Sequence, residues 1–195
     1  AYHLSVIKHV QSAFMTNLRI FFAGLVAICF SAPLIAQTAP AVIVTEEGAA
    51  WRIKVEAKLS LSHKKIWATL TDCGRARDFI PHFESCRIID KDPAGRWDLR
   101  ENISNPPFLP RNRTIIRSDY RAPQSLSYRL VSGDMRLSEG SWELLPQGSG
   151  TLLRYQALVE PLVAIPGFLM VPAIKRDVAE MIRKLGEASS ASSGD

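Results

Sequence analysis

The sequence predicts an α+β domain in which a long C-terminal helix lies across a curved antiparallel sheet of six to seven strands, with two short helices after the first strand. Segments that alternate apolar and polar residues follow one another along most of the chain. Turn residues separate them, which is typical of antiparallel strands. Near the C-terminus the apolar spacing changes to the helical period. This helix is the only predicted element long enough to cover the apolar face of the sheet.

The N-terminal segment has the order of a secretory signal. A single charge at Arg19 precedes an apolar run over residues 20–30, and a proline and small residues follow that run. We expect the protein to start at Met15 and to lose residues 1–36 on export to the periplasm or the cell exterior. The alternative is a membrane anchor formed by residues 20–36, although the uninterrupted run is shorter than the ~20 residues that a spanning helix needs.

The charge balance is mildly basic. The whole chain has 24 Lys and Arg residues against 19 Asp and Glu residues. Removal of residues 1–36 takes away Lys8 and Arg19 and no acidic residue, so the remaining excess is small. Such an excess does not favour nucleic acid binding. We therefore expect no nucleic acid partner, and we expect a monomer.

Two cysteines remain in the exported domain, and their spacing raises a choice between three kinds of site. Cys73 and Cys86 would be oxidised in an exported compartment, which predicts a structural disulfide. Two buried free thiols are the alternative. A metal site would need three or four ligands, and His82 is the only other nearby candidate. We expect no metal and no cofactor.

The residues after the signal segment predict the elements in order. Residues 37–50 show no clear period and are expected to be a linker, whereas residues 51–59 alternate as a half-buried strand. Ser62 can cap a following helix, and the second short helix ends before Pro81. These two helices are expected over residues 63–72 and 74–80. Six further strands are expected over residues 84–92, 96–104, 111–122, 125–132, 135–146 and 151–161.

The last element is an amphipathic helix. Its apolar positions recur at helical spacing, and charged residues take the opposite face. The apolar positions are Val171, Ile174, Val178, Met181, Ile182 and Leu185. We expect the domain to cover residues 51–187 and the serine-rich residues 188–195 to be disordered.

Three blocks of this sequence, together with the order of the elements, resemble the START-related, or SRPBCC, superfamily. The blocks are "IWATLTDCGRARDFIPHFESCRII" (66–89), "GDMRLSEGSWELLPQGSGTLLRYQALVEP" (133–161) and "FLMVPAIKRDVAEMIRKL" (168–185). The branch that the sequence resembles is that of polyketide cyclases, dehydrases and coenzyme Q-binding proteins. The resemblance implies a helix-grip fold with a deep apolar cavity between the sheet and the long helix. Family members hold lipids, sterols, quinones or polyketides there, and some catalyse cyclisation or dehydration.

The resemblance also suggests which residues form the site. The expected cavity lining consists of bulky residues in the inward phase of their elements: Phe79, Trp97, Leu99, Ile116, Tyr120, Tyr128, Trp142, Tyr155, Val171, Ile174 and Val178. The expected portal consists of two apolar segments that would touch a membrane during ligand exchange: Ile80, His82, Phe83, Phe168 and Leu169.

These features predict a protein that binds a hydrophobic small molecule and could transport it. One alternative is a cyclase or dehydratase that uses His82 or a cavity tyrosine, since His82 is the best single candidate for acid–base chemistry. Another is an interaction module whose core is filled by its own side chains. We assign no catalytic residue, and we expect binding rather than turnover.

One predicted strand carries a row of arginines. Arg111, Arg113, Arg117 and Arg121 share one parity, so they are expected on the same face of the sheet. The simpler interpretation is a solvent face on which acidic neighbours pair with them. The alternative is a basic surface that contacts anionic lipid headgroups.

Overall fold

The computed structural model describes residues 40–107 and 109–191. The strands are β1 (Val42–Glu47), β2 (Ala50–Leu59), β3 (Phe83–Lys91), β4 (Trp97–Ser104), β5 (Asn112–Arg121), β6 (Ser125–Gly133), β7 (Met135–Gln147) and β8 (Gly150–Pro161). The helices are α1 (His63–Thr71), α2 (Ala76–Phe79) and α3 (Gly167–Ala191), with a 3₁₀ turn at Cys73–Arg75. The predicted α+β order of elements is confirmed.

All eight strands form one antiparallel sheet in the order β1-β2-β8-β7-β6-β5-β4-β3. Strands β3 to β8 form a meander from one edge, and β8 then pairs with β2. Strands β1 and β3 remain as the two edges, so the sheet curves without closing. The helices pack against its inner face, and α3 contacts both α1 and α2.

The strand β1 was not predicted, because the segment that contains it was expected to be a linker. It pairs with β2 from Val42 opposite Val55 to Glu47 opposite Ala50. Four of its six residues are exposed, so backbone hydrogen bonds rather than a buried side-chain row hold it, and it carries no clear hydrophobic alternation. Gly48, with a φ of 64°, makes the tight turn into β2.

The helix α3 also extends further than expected. It continues to Ala191, four residues into the segment that was expected to be disordered. Ser189 is fully buried there, and its hydroxyl donates a hydrogen bond of 2.6 Å to the carbonyl of Leu185. This bond satisfies the serine inside the helix, which a composition rule for serine-rich tails does not anticipate. The rest of the tail and the signal segment lie outside the described residues.

The core lies between α1, α3 and the end of the sheet where β2, β7 and β8 meet. Deeply buried side chains come from α1, from the sheet and from α3, namely Ile66, Leu144, Leu153, Ile182 and Leu185. Across residues 40–107 and 109–191, no helix has the length and apolar character to cross a membrane.

The predicted disulfide is present. It joins Cys73 in the 3₁₀ turn to Cys86 in β3, with 5.4 Å between the two Cα atoms. The bond therefore ties the turn that leads into α2 to the edge strand of the sheet.

Candidate ligand cavity

A cavity of about 370 Å³ lies between the inner face of the sheet and the helices. One wall is mostly apolar and is formed by Leu70, Ala76, Phe79, Ile80, Leu126, Tyr128, Trp142, Tyr155 and Met181. The polar residues of the lining from β4 and β5, which we call the polar wall, are Arg100, Asn102, Ser104, Asn112, Thr114, Ser118 and Tyr120. The two walls would suit a molecule with one apolar and one polar side.

Six of the predicted lining residues border this cavity. They are Phe79, Ile116, Tyr120, Tyr128, Trp142 and Tyr155. The five on strands share the inward phase of β5 to β8, because alternate residues of a strand face the same side. Trp142 and Tyr155 pair directly across β7 and β8, with 4.3 Å between their ring centroids. The hydroxyls of Tyr128 and Tyr155 are 3.0 Å apart.

The phase expected for β4 differs from the observed one. Trp97 and Leu99 were expected in the lining, but Arg100, Asn102 and Ser104 of β4 border the cavity instead. Trp97 stacks against Arg117, whose guanidinium carbon is 4.4 Å from the ring centroid. Hydrophobicity alone predicts that the opposite face of β4 is buried. It does so because the inward residues Asp98 and Arg100 are polar, and they are buried as an ion pair. The sequence did contain one indication of this arrangement. Asp98, Arg100 and Asn102 occupy alternate positions, so their side chains lie on the same face of the strand.

The helix α3 also presents a different stripe to the cavity. Val171, Ile174 and Val178 were expected in the lining, whereas Asp177 and Met181 border the cavity. Val178 is buried in the core, and Ile174 packs against that core. Compared with the expected orientation, the helix is rotated about its axis. Asp177 and Met181, an i, i+4 pair, therefore face the cavity in place of Ile174 and Val178.

A buried ion pair joins Arg100 of the polar wall to Asp98. Asp98 is 5% exposed and Arg100 is 9% exposed. The Nε of Arg100 donates to Asp98 Oδ1 at 2.9 Å, and its Nη2 donates to Oδ2, also at 2.9 Å. Arg100 Nη2 also donates to the carbonyl of Thr71 at 2.5 Å, which connects β4 to the last residue of α1.

Tyr120 completes this network. Its hydroxyl donates to Asp98 Oδ2 at 2.7 Å and lies 2.7 Å from Arg100 Nη2, from which it accepts a hydrogen bond. Its ring meets Trp67 of α1 edge to face, with 6.0 Å between the centroids. Burial raises the pKa of the Tyr120 hydroxyl, and the positive charge of Arg100 opposes that shift. Burial is the largest single influence on Arg100 and lowers its pKa, but the hydrogen bonds and electrostatic interactions with Asp98 and Tyr120 together outweigh it, and the pKa of Arg100 is raised.

The polar wall also contains an unpaired group. The Oδ1 atom of Asn102 is buried and has no hydrogen-bond partner in the described part of the chain. Asn102 lies opposite Thr114 of β5, which also borders the cavity. A buried amide oxygen without a partner costs about 1–3 kcal/mol, so a rearrangement that brings this oxygen to a hydrogen-bond donor would be favourable.

Part of the cavity lining comes from the turn before β3 and from α3, and we call this part the mouth. His82 has a φ of 59°, and its Nε2 is 3.4 Å from Asp177 Oδ2 on α3. Of the expected portal residues, Ile80, His82 and Phe83 border the cavity. Phe168 and Leu169 do not border it. They lie at the start of α3, where Phe168 is 77% exposed.

Three arginines of the row, Arg111, Arg113 and Arg117, are paired on the outer face. Arg117 lies 2.9 Å from Asp119, and Arg113 donates to Glu101 at 2.6 Å. Arg111, just before β5, contacts Glu84 at 2.7 Å. These pairs agree with the solvent-face interpretation of the row. In the ranges that the structure describes, no group of three or more His, Cys, Asp and Glu side chains is placed to hold a metal ion.

The comparisons with known proteins agree on the fold. The family model described as "Polyketide cyclase / dehydrase and lipid transport" matches residues 59–185. No curated protein matches the chain in sequence.

Three solved structures match over nearly their whole length. A START superfamily protein from Mycobacterium smegmatis is 20% identical, with a TM-score of 0.58, and the match covers 72% of this chain and 95% of that chain. The Zhui aromatase/cyclase from Streptomyces sp. R1128 is 15% identical, with a TM-score of 0.61 and coverage of 74% and 97%. A STAR-related lipid transfer protein from Xanthomonas axonopodis is 12% identical, with a TM-score of 0.61 and coverage of 78% and 99%. The predicted helix-grip fold of the START-related superfamily is confirmed.

Proposed function

Because the chain belongs to the polyketide cyclase/dehydrase and lipid transport family, we propose that it binds a hydrophobic small molecule between its sheet and α3 and carries it. The cavity carries this proposal. Its volume of about 370 Å³ lies within the usual range for small-molecule sites, which is about 300–1,000 Å³. Its aromatic and aliphatic wall would remove the apolar part of the ligand from water, and its mouth at His82 would admit the ligand.

Burial of the apolar part would supply most of the affinity. Each buried CH₂ group contributes about 0.8 kcal/mol, so a chain of about ten carbons contributes about 8 kcal/mol before the costs of association. An affinity near or weaker than micromolar follows for such a chain. The Cys73–Cys86 disulfide supports action in an oxidising, exported compartment, as the signal segment predicts.

Catalysis by His82 or by a cavity tyrosine stays an alternative prediction. The His82 side chain lies at the rim, against Asp177. Burial raises the pKa of both Tyr128 and Tyr155, so their hydroxyls stay protonated at neutral pH. In that state the hydroxyls would donate hydrogen bonds to a ligand or accept them from it, but they would not act as bases.

The test is native mass spectrometry of the purified full chain, with organic extraction of any adduct. We expect a discrete adduct that solvent removes, or one that forms on incubation with lipids or quinones. The variant Ser138→Trp should abolish it, because Ser138 borders the cavity and the indole would fill the space. The matched control is Ser127→Trp on the exposed face of β6, which should keep the adduct. A bare mass for the wild-type chain, both as purified and after incubation with lipids and quinones, would overturn the proposal.

A further inference from the structure

We infer that the cavity selects uncharged, hydroxyl-bearing amphiphiles over carboxylates of the same chain length, and that Asp98 and Asn102 determine this preference. The inference rests on the proposed function, because it names the chemical class of the ligand in the same cavity. It follows from the charges of the lining and from the unpaired amide of Asn102.

The first observation is that the positive charge of the polar wall is already compensated. Arg100 is the only Lys or Arg among the described residues that border the cavity. Its guanidinium forms two parallel hydrogen bonds with Asp98, which is itself buried. A ligand carboxylate beside Arg100 would therefore add an uncompensated negative charge near Asp98 in a site of low polarity.

The second observation is that the mouth offers no free cation either. Besides Arg100, the His, Asp, Glu, Lys and Arg side chains in the described lining are His82 and Asp177. His82 Nε2 is 3.4 Å from Asp177 Oδ2. Asp177 also contacts Arg176, at 2.8 Å, but that side chain does not border the cavity. An anionic ligand that enters here passes a carboxylate at the rim and meets a second one behind Arg100.

The third observation is the set of neutral polar groups. The oxygen of Asn102 lacks a partner, and Ser104, Asn112 and Thr114 add hydroxyl and amide groups to the same wall. Because Asn102 borders the cavity, rotation of its amide about its last torsion, which has two broad orientations, can bring the oxygen within reach of a bound molecule. A ligand hydroxyl can donate to that oxygen and accept from a neighbouring amide or from the Arg100 guanidinium. A carboxylate has no proton to donate.

Displacement of a neutral fluorescent reporter tests this inference. N-phenyl-1-naphthylamine is bound to the full chain at pH 8 and is displaced by decan-1-ol or by decanoate, which share a chain length. We expect decan-1-ol to bind at least about tenfold more tightly, as an unpaired buried charge implies.

The variant Asp98→Asn removes the compensating charge at nearly constant shape. It should strengthen decanoate binding about tenfold and change decan-1-ol binding by less than about threefold. The matched control is Asp119→Asn, which removes the carboxylate from the Arg117 pair on the outer face and should change neither value.

The outcomes separate the inference from the proposed function. A reporter that does not bind the wild-type chain refutes ligand binding itself. A reporter that binds but is displaced equally by both compounds, or an unchanged ratio in Asp98→Asn, overturns the selectivity alone. If Asp98→Asn does not fold, Asn102→Leu supplies the second test. It should weaken decan-1-ol about fivefold relative to the reporter, and an unchanged ratio of the two affinities would overturn the inference.

Discussion

Removal of the disulfide should lower the free energy of unfolding by about 3 kcal/mol. The cysteines are 13 positions apart, and the loop-entropy relation for a closed loop of that length corresponds to about 3 kcal/mol at 25 °C. The perturbation is the double variant Cys73→Ala with Cys86→Ala. Cys73 is buried and Cys86 borders the cavity, so alanine avoids placing a new polar group in either position.

The assay is equilibrium urea unfolding of the oxidised wild-type chain, the chemically reduced wild-type chain and the double variant. We expect the last two to agree closely, because both lack the same crosslink. We also expect a larger m value for both, since an unfolded chain without the crosslink exposes more surface. Reductant added to the double variant is the control and should have no effect. Equal unfolding free energies for the oxidised and reduced wild-type chains would refute the loop-entropy reasoning.

Three further predictions concern the polar groups of β4 and of the turn before it. Arg100→Met leaves Asp98 buried without its cation and should lower the free energy of unfolding in urea by about 3–5 kcal/mol. The double variant with Asp98→Leu should restore more than half of this loss. Equal losses for the single and double variants would contradict this prediction. Asn102→Leu should raise the stability of the unliganded protein by about 1 kcal/mol, because it removes a buried unpaired acceptor, and a lower Tm would contradict this. A hydrogen bond from Arg96 lowers the pKa of Asp92 from 3.8 to about 2. The stability from this pair is therefore complete above the unfolded pKa and lost as the pH falls through about 2. The difference in unfolding free energy between wild type and Arg96→Gln should narrow over that window, and a constant difference would contradict the assignment.

The order of elements was predictable because it depends on local patterns. Alternation over residues 51–59 predicted β2, and the helical recurrence of Val178, Ile182 and Leu185 predicted α3. The edge strand β1 was missed because its partners are backbone groups of β2, and most of its side chains face solvent. Neither the alternation nor the composition of residues 37–50 reports such a contact.

The candidate site was predictable where an inward row is apolar and aromatic. Leu126 and Tyr128 on β6 follow this pattern, as do Trp142 on β7 and Tyr155 on β8, and all four border the cavity. The prediction did not hold for β4, where a hydrophobicity rule places Trp97 inside. In the structure the inward row is Asp98, Arg100 and Asn102, which a rule based on single side chains reads as solvent-facing.

The sequence by itself determined the strands β2 to β8, the helix α3 and the resemblance to the superfamily, and it favoured the pairing of two cysteines. Each of these depends on residues whose preference is set by near neighbours or by a motif. Only the tertiary structure decided which face of β4 lines the cavity and which stripe of α3 closes it. A buried Asp98 and Arg100 are stable only as a pair that Tyr120 and the carbonyl of Thr71 complete. That condition joins β4, β5 and α1, which are distant in the chain and meet only after folding.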